Sequence, residues 1–262
     1  MSQSAIIAGV AEAAGQRRRA GRPRLRPASN AGVAPRAEIL DAAADLFARQ
    51  GLAATTTRQI ADRVGIRQAS LYYYFSGKDE ILLELLTQSV RPSLRVAATL
   101  EARCHDDPAA GLYALALIDV RTLTQAPHNI ATLYLLPEVQ GEEFASFHAE
   151  RAELQATYGR LGRAAAMLAG LAGLAGTAAP GGSPGSPGGS PGEELTATLI
   201  MQLVESVIQL RRLGELRDGY ADEIAAACLR LVGLGAAAVA QARAAAEALL
   251  AAGPPPSAGS CS

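Results

Sequence analysis

The 262-residue sequence has no tryptophan, and aromatic residues make up only 4% of it, so its interior must be built mostly from Ala, Leu, Val and Ile. Its three cysteines, Cys104, Cys228 and Cys261, are scattered along the chain. Three separated thiols exclude a disulfide framework and a zinc cluster, and a reducing, cytoplasmic setting is the simplest expectation. Lysine is nearly absent, since Lys78 is the only one. Long apolar runs are missing as well: the best stretch, 164–179, is interrupted by Gly170, Gly173 and Gly176 and falls short of a membrane span. The apolar start at 5–14 precedes Arg17, Arg18 and Arg19, the reverse of the charge order in a secretory signal. A soluble chain with no membrane partner is expected.

Catalytic patterns are also lacking. No HExxH or G-x-S-x-G motif occurs, and His105, His128 and His148 lie far apart. The nearest metal-like grouping is Glu142, Glu143, His148 and Glu150. Glu143 and His148 are five residues apart, which aligns poorly on a helix, so neither a metal site nor any cofactor is expected. The composition argues against an enzyme.

What is present is a 49% hydrophobic, 19% charged chain, enough apolar material for a sizeable core and too much for wholesale disorder. The net charge of -1 hides an asymmetry: residues 1–95 carry 14 basic and 8 acidic side chains, and residues 96–262 carry 10 basic and 17 acidic. A basic first third joined to an acidic remainder suggests a polyanion-binding head on a body with another task.

Residues 1–34 combine Gly, Pro and a dense arginine run with little periodicity, and read as a disordered basic arm. From Pro35 the apolar positions Ile39, Leu40, Ala43, Leu46 and Phe47 mark one face of an amphipathic helix ending at Gly51. A short helix follows from the Thr55-Thr56-Thr57 cluster, with Thr56 and Gln59 spaced as a capping box, and stops at Gly65. A third spans about 68–75, with Leu71 and Phe75 on one side. Ser76 and Asp79 give another capping-box spacing ahead of a long helix that Pro92 should kink or divide. Helical segments at about 109–125, 128–136 and 142–175 follow. The Gly/Ser/Pro stretch 180–192 reads as a flexible loop, two helices at about 193–213 and 219–251 come next, and 253–262 reads as a disordered tail. No stretch alternates with period two. The expected fold is all-α.

The second and third segments have helix-turn-helix arithmetic: two short helices joined by a turn that Gly65 makes possible. Ile60, Val64, Ile66 and Leu71 supply their shared core. The outward face of the third helix carries Gln68, Ser70, Tyr72 and Tyr73. A Gln amide can pair bidentately with adenine in the major groove, and hydroxyls suit phosphate oxygens or the surroundings of a thymine methyl. Successive helical positions point about 100° apart, so Tyr72, Tyr73 and Tyr74 cannot all be buried. Tyr74 is expected to pack inward.

The stretch 55–80, TTTRQIADRVGIRQASLYYYFSGKDE, resembles the DNA-binding signature of the tetracycline-repressor-like (TetR) family of transcriptional regulators. The preceding AEILDAAADLFARQG resembles that family's first helix, and the likeness covers about residues 36–86. It implies that Arg58 reaches a base or phosphate, that Gln68 is the main base-reading position, and that Ser70, Tyr72 and Tyr73 contact backbone and thymine methyls. It also implies that Lys78 binds a phosphate at the start of the fourth helix. Arg67 stands where the family usually has a capping Ser; either the cap is lost or Arg67 adds a contact, and the latter is preferred. Arg63, on another face, reads as a solvated charge. Upstream, Arg22 and Arg24 in Gly21-Arg22-Pro23-Arg24 resemble the core of minor-groove arms.

For the body, the resemblance implies that helices from about 81 to 175 enclose a small-molecule pocket, with Tyr134, Phe144, Phe147, His148 and Tyr158 as its candidate lining. Arg121 interrupts an apolar helix, and reads either as an anchor for an anionic ligand or as an ion-pair partner of Asp119 or Glu138. The last two helices present Leu199, Leu203, Val207 and Leu210, then Ile224, Cys228, Leu231, Leu234 and Val239. That surface suits a four-helix bundle made from two subunits, or else completes the core of one. The domain expectation is a basic arm at 1–34, a helix-turn-helix unit at 35–80 and a helical ligand-binding and dimerisation unit at 81–252. The functional expectation is a homodimeric regulator, a repressor released from a palindromic double-stranded operator by a small-molecule effector. The alternative is a non-specific architectural DNA binder driven by the arginine arm.

Overall fold

The computed structural model describes residues 35–170 and 191–252, and among these every regular element is helical. The arm with Arg22 and Arg24, most of the Gly/Ser/Pro stretch and the tail from 253 lie outside the described residues. The last two residues of that stretch, Pro191 and Gly192, turn out to open a helix rather than close a loop. Proline is at home there, because a first-turn N–H has no intrahelical partner to lose.

Helix α1, Pro35–Gln50, buries Ile39, Leu40, Ala43 and Phe47 along one face. It packs on α2, Thr57–Val64, which in turn packs on α3, Gln68–Leu71. α3 is shorter than its periodicity suggests: Tyr72 to Tyr74 continue as hydrogen-bonded turns, with the Phe75 amide still donating to the Leu71 carbonyl. Those turns swing both Leu71 and Phe75 into the core, and they leave Tyr74 39% exposed rather than packed inward.

Helix α4, Lys78–Arg103, runs without a break through Pro92. Proline deprives the Gln88 carbonyl of its intrahelical donor, at a cost of about 3 kcal/mol. The cost is absorbed because α4 packs on α5 and α6, with Val90, Ser93 and Ala97 buried on both sides of the proline. The start of α4 is also rearranged. Gly77 is the cap residue, and the Ser76 amide donates to the Glu80 carboxylate at 2.6 Å, so the reciprocal partner lies one residue beyond Asp79.

Helix α5, Pro108–Gln125, is the axis of the body, contacting α4, α6, Ala145–Leu168, α7, Pro191–Leu213, α8, Tyr220–Leu231, and α9, Ala236–Ala251. Its sequence is apolar nearly all round, from Ala110 through Leu112, Tyr113 and Leu115 to Val120, with Asp119 the buried exception, which is what a helix surrounded by others requires. Between α5 and α6 the chain makes 3₁₀ turns at Ile130–Leu133, Pro137–Gln140 and Glu142–Phe144 in place of a longer helix. The expected single helix over 219–251 is two. Gly233 takes a left-handed φ of +88°, the Gly233 and Leu234 amides close back on the Arg230 and Leu229 carbonyls, and Leu234 drops into the core.

Candidate nucleic-acid interface

The three consecutive threonines ahead of α2 do three different things. Thr55 is buried, and its hydroxyl donates to the Gly51 carbonyl at 2.7 Å, closing the loop after α1. Thr56 is the cap: its Oγ1 accepts from the Gln59 amide at 3.2 Å, and the Thr56 amide donates to Gln59 Oε1 at 2.8 Å, completing the capping box. Thr57 faces the third helix, where its Oγ1 accepts from Gln68 Nε2 at 2.9 Å and lies 3.3 Å from the Tyr72 hydroxyl. Gln68 Nε2 is also 3.4 Å from that hydroxyl. Thr57, Gln68 and Tyr72 therefore form one exposed polar cluster bridging α2 and α3. Sequence reasoning identified the other two members but not Thr57; its place in the first turn of α2, facing the helix across the turn, was the available signal.

The turn that sets this crossing depends on Gly65, whose φ of +78° is left-handed. The Gly65 amide donates to the Asp62 carbonyl and the Ile66 amide to that of Ala61, which ends α2 cleanly. Behind the turn, Asp45 of α1 is buried and accepts from Arg49 and from Arg63 of α2. The Arg49 hydrogen bond, with the charge of Arg63 beside it, holds the Asp45 carboxyl below its ordinary range against the opposing effect of burial. Arg63 is thus tied to α1 instead of being a free solvated charge.

The remaining candidate contacts are presented outward. Tyr73 is 92% exposed, and Tyr72 49%. Ser70 and Arg67 are exposed, and Arg67 makes no side-chain capping bond at the start of α3. Arg58 projects from the first turn of α2, with only a loose, exposed approach of 3.9 Å to Asp62, a pair of little energetic weight. Lys78 stands in the first turn of α4, half-buried, with Nζ donating to the Leu52 carbonyl at 2.9 Å. The helix start and the loop after α1 are thereby tied together. Arg36, at the start of α1, lies over the Phe75 ring at 4.4 Å and pairs with Glu84 of α4, anchoring α1 to that helix.

In the body, Tyr134, Phe144, Phe147 and Tyr158 are all buried, with the Tyr134 and Phe147 rings 5.2 Å apart and His148 5.1 Å beyond Phe147. All four aromatic rings belong to the buried core. Tyr158 donates to Asp119 at 3.0 Å, Ser93 donates to its other oxygen at 2.8 Å, and Tyr134 shares a 2.7 Å hydrogen bond with Ser89. Burial pushes the Asp119 carboxyl up to about 6 in spite of those two donors. His148 Nε2 meets the Val139 carbonyl at 2.8 Å. Arg121 points to solvent, and Asp119 takes its hydrogen bonds from Ser93 and Tyr158. A cavity of about 350 Å³ lies elsewhere, between α1 and the body. Among the described residues no group of His, Cys, Asp and Glu is placed to hold a metal ion, and no helix is long and apolar enough to cross a membrane.

A helix-turn-helix with an outward polar edge, carried on an all-helical body, defines a class of helix-turn-helix regulatory proteins. Residues 39–85 match the family model described as bacterial regulatory proteins, tetR family. Over 51 residues the chain is 53% identical to the HTH-type transcriptional repressor KstR2 of Mycobacterium tuberculosis, a match covering 20% of this chain and 26% of that one. The chain thus matches about a quarter of the length of that curated relative. Among solved structures, AmtR of Mycobacterium smegmatis is 35% identical with a TM-score of 0.70, covering 87% of this chain and all of that one. The TetR-family regulator PfmR of Thermus thermophilus, at 19% identity and a TM-score of 0.55 over 74% of this chain and 96% of that one, shares the fold. The chain belongs to the TetR family of bacterial regulatory proteins.

Proposed function

We propose that the chain is a sequence-specific transcriptional repressor, not an enzyme, that binds a palindromic operator as a homodimer and is released by a small-molecule effector. Residues 35–80 would form the DNA-binding unit, and 81–252 the effector and dimerisation unit. The observation that carries this reading is the Thr57–Gln68–Tyr72 cluster, because it fixes an amide at an exposed helix edge flanked by exposed Tyr73, Arg67 and Arg58. One such edge reads only a few base pairs, and two related by a twofold axis read two half-sites about one helical turn apart.

Support for pairing comes from α6 and α7 more than from α8 and α9. Leu195 and Leu199 are exposed on α7, and Ala149, Ala152 and Ala156 are exposed on α6, which packs on α7; small side chains of this kind allow close approach by a second copy. Val207, Ile224, Cys228, Leu234 and Val239, by contrast, are buried within the subunit. Transmission is assigned to α4. At about 1.5 Å per residue its 26 residues reach some 39 Å from the Lys78–Leu52 tie to the core of the body. A shift of its body-side half would move the recognition edge and change the spacing of two heads.

The test is selection of a preferred duplex from a random pool, followed by sedimentation of the complex. The expected result is an inverted repeat bound by an even number of chains. A pool that yields no preferred sequence would overturn the reading.

A further inference from the structure

Helix α7 reaches the head by a route that bypasses α4. Arg211, near its end, donates to the Leu123 carbonyl at 2.9 Å, to the Pro127 carbonyl at 3.2 Å and to the Ala126 carbonyl. These oxygens stand at and just beyond the end of α5, where carbonyls lack amide partners within the helix and a cation meets the negative end of the dipole. Burial lowers the Arg211 pKa and no carboxylate among the described residues offsets it, so the guanidinium serves the carbonyls alone. One turn earlier on α7, the Ile208 carbonyl accepts from Asn129 Nδ2 at 3.0 Å. The chain is therefore fastened to α7 on both sides of His128. From there His128 crosses to α1, its Nε2 3.1 Å from Asp41 Oδ1. Around this contact α1 is not packed tightly on the body. A cavity of about 350 Å³ opens between Leu40 and Ala44 of α1 and Leu85 and Leu123 of the body, and Asp41 and His128 both line it. An apolar gap fixes no orientation, whereas a hydrogen bond at its edge does. Beyond Asp41, α1 is tied to α2 through Asp45 and Arg63, and α2 to α3 through Thr57 and Gln68.

We infer that Arg211 and His128 are positioning residues that set the half-site spacing accepted by the paired chain. The inference rests on the reading of the chain as a paired DNA-binding regulator. A head held through α4 alone can swivel about that attachment. A second attachment, from α7 through Arg211 and His128 to Asp41, fixes the angle between the reading edge and the pairing surface, because α7 belongs to that surface. Both side chains act by holding α1, not by touching DNA. The brace thus adds nothing to the recognition of one half-site and decides how two are combined.

The selected inverted repeat is rebuilt with its half-sites moved together or apart by a base pair or two. Each duplex is titrated with the full-length chain and with Asp41→Ala, Arg211→Met and the double variant. Asp41→Ala removes the acceptor from a largely exposed helical side chain, so it keeps the fold even if Arg211→Met does not. The parent is expected to prefer one spacing. Both single variants should bind an isolated half-site as the parent does. Each should lower the preference for the best spacing over its neighbours by about threefold, the size of effect that a part-exposed pair can carry. The double variant should lower it no further than the larger of the singles, because the two side chains act in series. An unchanged spacing preference in Asp41→Ala, half-site affinity lost in step with it, or additive effects in the double variant overturns the inference. The brace is also read without DNA. The His128 ring resonances, identified by their loss in His128→Gln, should move in Asp41→Ala and in Arg211→Met, and a ring indifferent to either change overturns the brace. If no duplex is discriminated, the regulator reading falls and the spacing role with it, while the ring resonances still decide whether the brace exists.

Discussion

Gln68 Nε2 donates to Thr57 Oγ1 at 2.9 Å, so the amide assigned to reading a base is held in place from the neighbouring helix. The Tyr72 hydroxyl closes the triangle. A long amide side chain otherwise loses rotamer freedom on binding, and prior alignment reduces that cost. The expectation is that Gln68→Ala lowers discrimination at one base-pair position by about 1–3 kcal/mol. Thr57→Val, which keeps the amide but removes its aim, should lower discrimination at that same position by a smaller factor. Competition titrations against duplexes changed one base pair at a time provide the check, and a Thr57→Val protein with unaltered discrimination would remove the cluster from the account.

Lys78 is assigned a phosphate contact, yet its Nζ already donates to the Leu52 carbonyl. Two consequences follow from one side chain. Lys78→Ala should weaken binding to every duplex alike and reduce the salt slope of log K by about one. It should also lower the thermal midpoint, because a part-buried, charge-assisted hydrogen bond worth about 1.5–3 kcal/mol is lost. Calorimetry of the free protein separates the second effect from the first. A variant of unchanged midpoint would mean that the Leu52 tie is not maintained in solution.

The parts of this protein legible in the sequence are those set by neighbours along the chain. The Thr56–Gln59 capping box, the left-handed turn at Gly65 and the apolar stripe of α1 all depend on a few adjacent residues, and all are present. What escaped was decided by distant packing. Pro92 fails to break α4 because α5 and α6 hold both halves, and Tyr74 is exposed because the chain leaves helical geometry after Leu71. The division of α8 from α9 was signalled by Gly233, but a glycine inside an alanine-rich run has no single meaning until Leu234 is seen to enter the core. In the body, Tyr134 and Phe147 lie side by side, with His148 against Phe147. Whether such a group lines a cavity or fills one depends on backbone spacing that no pattern of residue types specifies.

Asp45 and Asp119 should push the pH dependence of stability in opposite directions. The Asp45 carboxyl is held low by Arg49 and Arg63, so its contribution is complete above the unfolded value near 3.9 and is lost as pH falls through the folded one. Asp119 is raised to about 6 by burial. Its folded form takes up the proton first, so stability from this group is complete below about pH 4 and declines as pH rises to about 6, by about 3 kcal/mol in all. Asp119→Asn keeps a neutral polar group in place. The difference in unfolding free energy, variant minus parent, should therefore climb between pH 4 and 6.5 and then level off. Urea titrations across that range measure it, and parallel curves would show that Asp119 titrates normally.

The proposed pairing of subunits through α6 and α7 separates interface positions from core positions on adjacent helices. The two helices are joined within the subunit by Arg163 to Glu193 at 3.0 Å and by Gln155 to Thr198 at 3.1 Å, so they present their outer faces as a unit. Leu199 lies on that outer face, exposed one turn from Leu195. Ile224 of α8 is buried inside the subunit. Leu199→Glu should leave the thermal unfolding of a dilute, unpaired chain nearly unchanged, because the side chain is already in water. It should nevertheless raise the dimer dissociation constant at least a hundredfold, since a carboxylate would be set against an apolar surface. Binding to a two-half-site duplex should fall with it, while binding to a single half-site is kept. Ile224→Ala should do the reverse, lowering stability by about 2–5 kcal/mol through loss of buried volume. Sedimentation equilibrium of both variants, with melting curves at low concentration, distinguishes the two patterns. If Leu199→Glu remained dimeric while an equivalent charge on the outer surface of α9 produced single subunits, the pairing surface would have to be reassigned to the C-terminal helices.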